Sequence, residues 1–195
     1  MQNLAGLINH SSHFNIECFM NQELSNGYTH KDLLEKYEDS IQQGSPPLNM
    51  SEEWDFFLQY IKATPNYKPY RTEWMIYHED LKVAGSIDMV YENPDGTLSI
   101  YDWKRAKEIT KDNNWNKFAL NPIIGQMPDT NFWHYSLQLN TYRHILETKY
   151  GKKVTNLCLV RIHPDHPEQT YELLPVPILT KEMEELFSEL KKKQE

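Results

Sequence analysis

The chain has 195 residues, a net charge of −8 and two cysteines, Cys18 and Cys158. A chain of that length buries a sizeable core without disulfide staples, and two distant cysteines with no CxxC exclude a zinc ribbon and point to a reducing, intracellular compartment. The acidic balance argues against a nonspecific nucleic-acid binder with a basic face, but it leaves room for clustered acids whose charge a divalent ion offsets.

From the start, MQNLAGLINHSSHF lacks a basic n-region and an apolar h-region, so no secretory leader is predicted. No apolar run approaches the ~20 residues of a membrane span. Leu33, Leu34, Tyr37 and Ile41 recur at helical spacing and predict a helix over His30–Gln43, with Thr29 and Asp32 at its cap and Gly44, Pro46 and Pro47 ending it. SEEWDFFLQYIKAT is a second helix, capped by Ser51, with Trp54, Phe57, Leu58 and Ile61 on one face. The period then changes to two: YRTEWMIYHE, VAGSIDMVYE and TLSIYDWKR, with NPDG as a turn, predict a three-stranded antiparallel meander over residues 70–105.

Residues 106–130 have no period, which marks a binding loop or lid. NFWHYSLQLNTYRHILETKYG is a helix through Trp133, Leu137, Tyr142, Ile145 and Leu146, with Gly151 at C′. KVTNLCLVRIH and TYELLPVPI are strands, and TKEMEELFSELKKKQE is a last helix capped by Thr180 with a basic end. The order gives one α/β domain over 1–195: N-terminal helices (1–65), a core (66–178) with a central mixed sheet of about five strands flanked by helices, and a C-terminal helix (179–195).

The meander carries the chemistry. Alternation puts Asp102 and Lys104 on one face of a strand and Trp103 on the other. A turn centred near Pro94–Asp95 sets Asp88 opposite residues 101–102. Two carboxylates that close repel, and one is driven towards protonation unless a cation intervenes. Magnesium takes one or two carboxylates, water and substrate phosphate, and a neighbouring lysine then steadies or deprotonates the attacking water. The spacing fits this phosphodiester-hydrolysis kit and, equally, a surface ion pair between Asp88 and Lys104 or Arg105.

GSIDMVY, IYDWKR and YSLQLNTYRHIL, in that order and on those elements, resemble the PD-(D/E)xK nuclease superfamily, and within it the RecB-like exonuclease branch, over residues 26–163. The resemblance implies a restriction-endonuclease-like core and a metal-dependent DNA nuclease, exonuclease-like, in DNA repair, recombination or replication. It implies Mg2+ or Mn2+ held by Asp88, Asp102 and the main-chain carbonyl of Trp103, with Lys104 assisting the attacking water. Gln138 and Tyr142, the QxxxY pair on the next helix, border such sites. A histidine ligand on an N-terminal helix is also common in the branch, and His30 in NGYTHKDLLE is the candidate here, with its glycine three residues ahead instead of four. A metal held partly by imidazole favours manganese. Glu73 falls where the family often carries an acid on the first strand; pairing with Arg71 or Lys104 is its other reading.

The substrate would be single-stranded DNA or a duplex end, and domains of this branch are often fused to or associated with a helicase or replication protein. Arg105, Lys107, Lys111 and Lys117, interleaved with Trp115 and Phe118, are candidate strand contacts, by charge and by base stacking; Arg143 and His144 are weaker ones. The alternatives are an RNA endonuclease on the same fold and a noncatalytic nucleic-acid-binding module.

Overall fold

The computed structural model describes residues 13–22 and 26–194, so the leader reading of residues 1–14 lies almost wholly outside the described residues. Residues 13–20 are helical (α1), an element absent from the sequence reading. Its signal is Ile16, Phe19 and Met20, at helical spacing and all buried. Helix α2 (His30–Gln42) opens on a capping box in which Thr29 and Asp32 each bond the other's backbone. Helix α3 (Glu52–Ala63) opens on Ser51, whose side chain accepts from the Trp54 amide.

The meander forms as predicted: β1 (Lys68–His78), β2 (Val83–Glu92) and β3 (Leu98–Lys104) pair antiparallel. Its second turn is closed by Asn93 N–H donating to the Thr97 carbonyl at 2.8 Å, with Gly96 at φ +80°, a conformation that glycine adopts freely. Helix α4 (Asn131–Lys149) crosses over to β4 (Val154–Arg161), which lies parallel to β3, and β5 (Glu172–Pro175) closes the sheet antiparallel to β4. The sheet is therefore mixed, in the order β1-β2-β3-β4-β5, flanked by helices as expected. Gly151, at φ +61°, follows the α4 cap residue Tyr150 as predicted.

Helix α5 (Thr180–Lys192) departs from the expectation: its N-cap is Leu179, and Thr180 is its first residue. Burial of Leu179 and donation of its N–H to Asn140 Oδ1 at 2.8 Å fix the entry where a hydroxyl cap was expected.

The sheet separates two cores. On one face α1, α2 and α3 pack Phe19, Leu33, Trp54, Phe57 and Tyr60 against Met89, Tyr101, Trp103 and Val160. On the other, α4 packs Leu139, Tyr142 and Ile145 against Trp74, Ile87, Ile100 and Leu159.

His30 belongs to the first core, which corrects its reading as a metal ligand. Its exposure is 0%. Thr64 Oγ1 gives its one proton to the Tyr60 carbonyl (2.7 Å), so His30 Nδ1–H donates to Thr64 Oγ1 (2.8 Å). Tyr60 O–H donates to Tyr91 (3.1 Å), whose hydroxyl donates to His30 Nε2 (3.0 Å). Both ring nitrogens are used, and burial pulls the imidazole pKa down to about 3. Between that value and the unfolded value near 6.5, the unfolded chain binds the extra proton. His30 therefore leaves stability untouched above pH 6.5 and costs about 1.4 kcal/mol for each pH unit below it. In urea titrations at pH 7 and pH 5, the parent should lose about 2 kcal/mol more than His30→Gln over that interval; equal losses would contradict a buried neutral imidazole.

Candidate active site

The strand ladder between β2 and β3 ends at Met89↔Tyr101. The next residue, Asp88, falls opposite Asp102, the register expected from the turn. There the strands part, and Asp88 Oδ2 accepts the Trp103 N–H at 3.0 Å. Alternation along β2 breaks at the same point: Ile87 packs into the α4 core and Met89 into the α1–α3 core. On the other side of β2, Glu73 lies between the pairs Thr72↔Met89 and Trp74↔Ile87, hence opposite Asp88. Its φ of +42° is in the left-handed region, a backbone strain of about 1–3 kcal/mol of the kind that gathers at functional sites. Its carboxylate accepts from Ser86 Oγ at 3.0 Å.

Helix α1 brings His13 to this point, with Nδ1 3.9 Å from Asp88 Oδ2. Ligand atoms of His13, Glu73 and Asp88 all lie within 4.8 Å of one another. Sequence reasoning missed His13; the available signal was its place one turn ahead of Ile16 on an apolar-faced helix. Asp102 is 3% exposed, and Lys104 Nζ stands 2.5 Å from its Oδ2. Trp103 points the other way, into the aromatic cluster with Phe57 and Tyr60, and so anchors the backbone between the two charged residues.

The electrostatics are those of a site short of positive charge. Burial, then the charge of Asp102, push the Asp88 carboxyl up to about 8, against the pull of the Trp103 N–H and Lys104. Asp102 is also raised, chiefly by burial, with Lys104 the strongest opposing influence. Crowded acids fit a hard divalent cation with oxygen ligands, and the nearby imidazole adds one borderline nitrogen donor.

Helix α4 faces the same point. Gln138 Nε2 donates to the Tyr142 hydroxyl at 2.8 Å, and burial, with the charges of both aspartates adding to it, holds that hydroxyl above its usual range. Gly85 lets this helix approach: a Cβ there would stand 2.4 Å from the Tyr142 ring. One turn before Gln138, the Tyr135 ring lies 4.4 Å from Lys104 Nζ.

The expected strand contacts are mostly committed elsewhere. Arg105 Nε pairs with the buried Glu53 at 2.7 Å. Lys107 pairs with Asp165 at 3.2 Å. Lys111 Nζ lies over the Phe132 ring at 4.8 Å. Arg143 pairs with Glu147 (2.9 Å) and donates to the Val154 carbonyl and Thr180, so it ties α4 to its surroundings. His144 stacks on Phe187 of α5. Trp115, in contrast, is 81% exposed, and Lys117 makes no ion pair among the described residues.

The aperiodic segment 106–130 is held by polar contacts of its own. Asn131 accepts from the Thr110 N–H and donates to the Glu108 carbonyl. Asn113 Oδ1 accepts from the Trp115 and Lys117 amides, Phe118 bridges Pro128, and Pro122–Ile124 form a 3₁₀ turn.

A family model described as the PD-(D/E)XK nuclease superfamily matches residues 22–195. No curated protein matches the chain at a significant level.

Proposed function

The chain belongs to the PD-(D/E)XK nuclease superfamily, and from that premise we propose that it is a Mg2+- or Mn2+-dependent deoxyribonuclease of the RecB-like type, acting as an exonuclease in DNA repair, recombination or replication. The observation that carries the reading is the convergence of Asp88, Asp102, Glu73 and His13 beside Lys104, with the two aspartates held above their usual range chiefly by burial. The Gln138–Tyr142 pair on the facing helix supports the RecB-like assignment.

Asp88 and Asp102 would hold the ion with the Trp103 carbonyl, and His13 and Glu73 would complete its surroundings on the β1 side. When bound, the ion supplies an acidified water and charge neutralisation at the phosphate. Lys104, as the ammonium beside Asp102, orients the attacking water and donates to the phosphate oxygen on which charge develops. Tyr142 and Gln138 form the wall against which the strand lies. Trp115 offers a face for base stacking, with Lys117 as a phosphate contact, which supports a single-stranded or frayed end as substrate.

The test is a panel of end-labelled single-stranded, duplex and flapped DNA, with matched RNA and a circular DNA, incubated with Mn2+. Shortening of DNA from its ends, faster for single strands and with RNA left intact, is expected. Faster cleavage of RNA would overturn the DNA assignment, and internal cuts on circular DNA would overturn the exonuclease one.

A further inference from the structure

Lys104 closes β3, and its backbone is fixed there by Ile162 N–H donating to its carbonyl at 2.9 Å. Its side chain is not fixed by covalent geometry: a four-carbon stem carries large rotamer freedom that must be removed for the ammonium to work at one point. Two groups hold it. One is Asp102, at 2.5 Å. The other is the ring of Tyr135, 4.4 Å from Nζ at its centroid, within cation–π range.

These anchors are not equivalent. Asp102 is also the carboxylate assigned to the divalent ion, so its charge cannot be committed to Lys104 once the ion shares it. An aromatic face has no such conflict, because it attracts the ammonium through its quadrupole and offers no lone pair to a metal. Tyr135 lies at i−3 from Gln138 and i−7 from Tyr142, so all three project from one face of α4. Its hydroxyl makes no hydrogen bond among the described residues, which leaves the ring as the functional part.

We propose that Tyr135 is a positioning residue for Lys104, its ring keeping the ammonium in the site when Asp102 is given over to the ion. This rests on the nuclease reading above, and it adds a residue that the acid–acid–lysine and Gln–Tyr signatures do not contain.

The experiment compares Tyr135→Phe, which keeps a face of the same size, with Tyr135→Leu, which keeps bulk and removes it. In Mn2+-dependent cleavage of labelled single-stranded DNA, Tyr135→Leu should lose about ten- to thirtyfold in kcat with KM within about twofold of the parent, and Tyr135→Phe should regain most of that loss. The second readout needs no activity: in spectra of protein carrying 13C-labelled lysine, the Lys104 ε-methylene, identified by its loss in Lys104→Arg, should be shifted upfield by the ring. The shift should persist in Tyr135→Phe and vanish in Tyr135→Leu. Equal kcat for the Leu and Phe variants beside an active parent would overturn the positioning role and leave the nuclease reading standing. A parent that cleaves nothing while the ring shift behaves as described would overturn the nuclease reading, and with it any catalytic purpose for the contact. An unshifted Lys104 signal in the parent would overturn the contact itself.

Discussion

Asp88→Asn is expected to melt higher than the parent in the absence of divalent ions and to gain nothing when Mn2+ is added. In the fold, burial and the charge of Asp102 hold the Asp88 carboxyl up to about 8, against about 4 in the unfolded chain. Between those values the folded protein keeps a proton that the unfolded chain has released. The contribution of this group to stability is therefore intact below pH 4, falls as pH rises, and is fully lost by pH 8. Asparagine keeps an oxygen for the Trp103 N–H and removes the charge, so at pH 8 the variant should be more stable by several kcal/mol, up to about 5. The parent recovers this deficit by binding a cation, which stabilises the folded state by mass action; the variant lacks the ligand. Thermal melts of both proteins at pH 5 and pH 8, with and without Mn2+, read all four terms. An Asp88→Asn chain that melts lower than the parent at pH 8, or that Mn2+ raises as much as it raises the parent, would contradict this view of the site.

Lys104→Met should separate binding from cleavage. Methionine keeps an apolar stem against Tyr135 and removes the ammonium that now stands 2.5 Å from Asp102 Oδ2. Cleavage should fall by about 10²–10³, the range for loss of one donor aimed at charge that develops in the transition state. Calorimetry should show Mn2+ binding as tight as in the parent or tighter, because a cation that competes for Asp102 has gone. Asp102→Asn, in contrast, should lose both. Weaker Mn2+ binding in Lys104→Met would mean that the lysine helps to hold the metal site together, and near-parental cleavage would remove Lys104 from the chemistry.

The hairpin was legible because its determinants are local. NPDG fixes the turn and so sets Asp88 opposite residues 101–102, and alternation puts Asp102 and Lys104 on one face of β3; the break in alternation at Asp88 has no such local signal. The capping box at Thr29 and Asp32 was legible for the same reason. The histidine was not. His13 and His30 both lie on N-terminal helices, and what distinguishes them is long-range: His30 meets Thr64 and Tyr91 across the core, whereas His13 meets Asp88.

The cations follow the same rule. Arg105 looks like a phosphate contact until Glu53, from a helix far upstream, takes it. Residues 106–130 lack a period because asparagine side chains, not a repeating apolar face, hold their backbone. Glu73 shows the limit from the other side: its position was readable, but its left-handed backbone was not.

On the proposed function, Asp88, Asp102 and Lys104 form a divalent-ion-dependent centre that hydrolyses nucleic acid. Cleavage of an end-labelled single-stranded DNA at pH 8, followed over time with Mn2+, with excess chelator, and with Mn2+ added back, tests it most directly when Asp102→Asn is run beside the parent. The parent should cleave, chelator should stop it and added Mn2+ restore it, and the rate in Asp102→Asn should be lower by at least about 10³-fold. Cleavage that survives the chelator, or an Asp102→Asn rate near that of the parent, would contradict it.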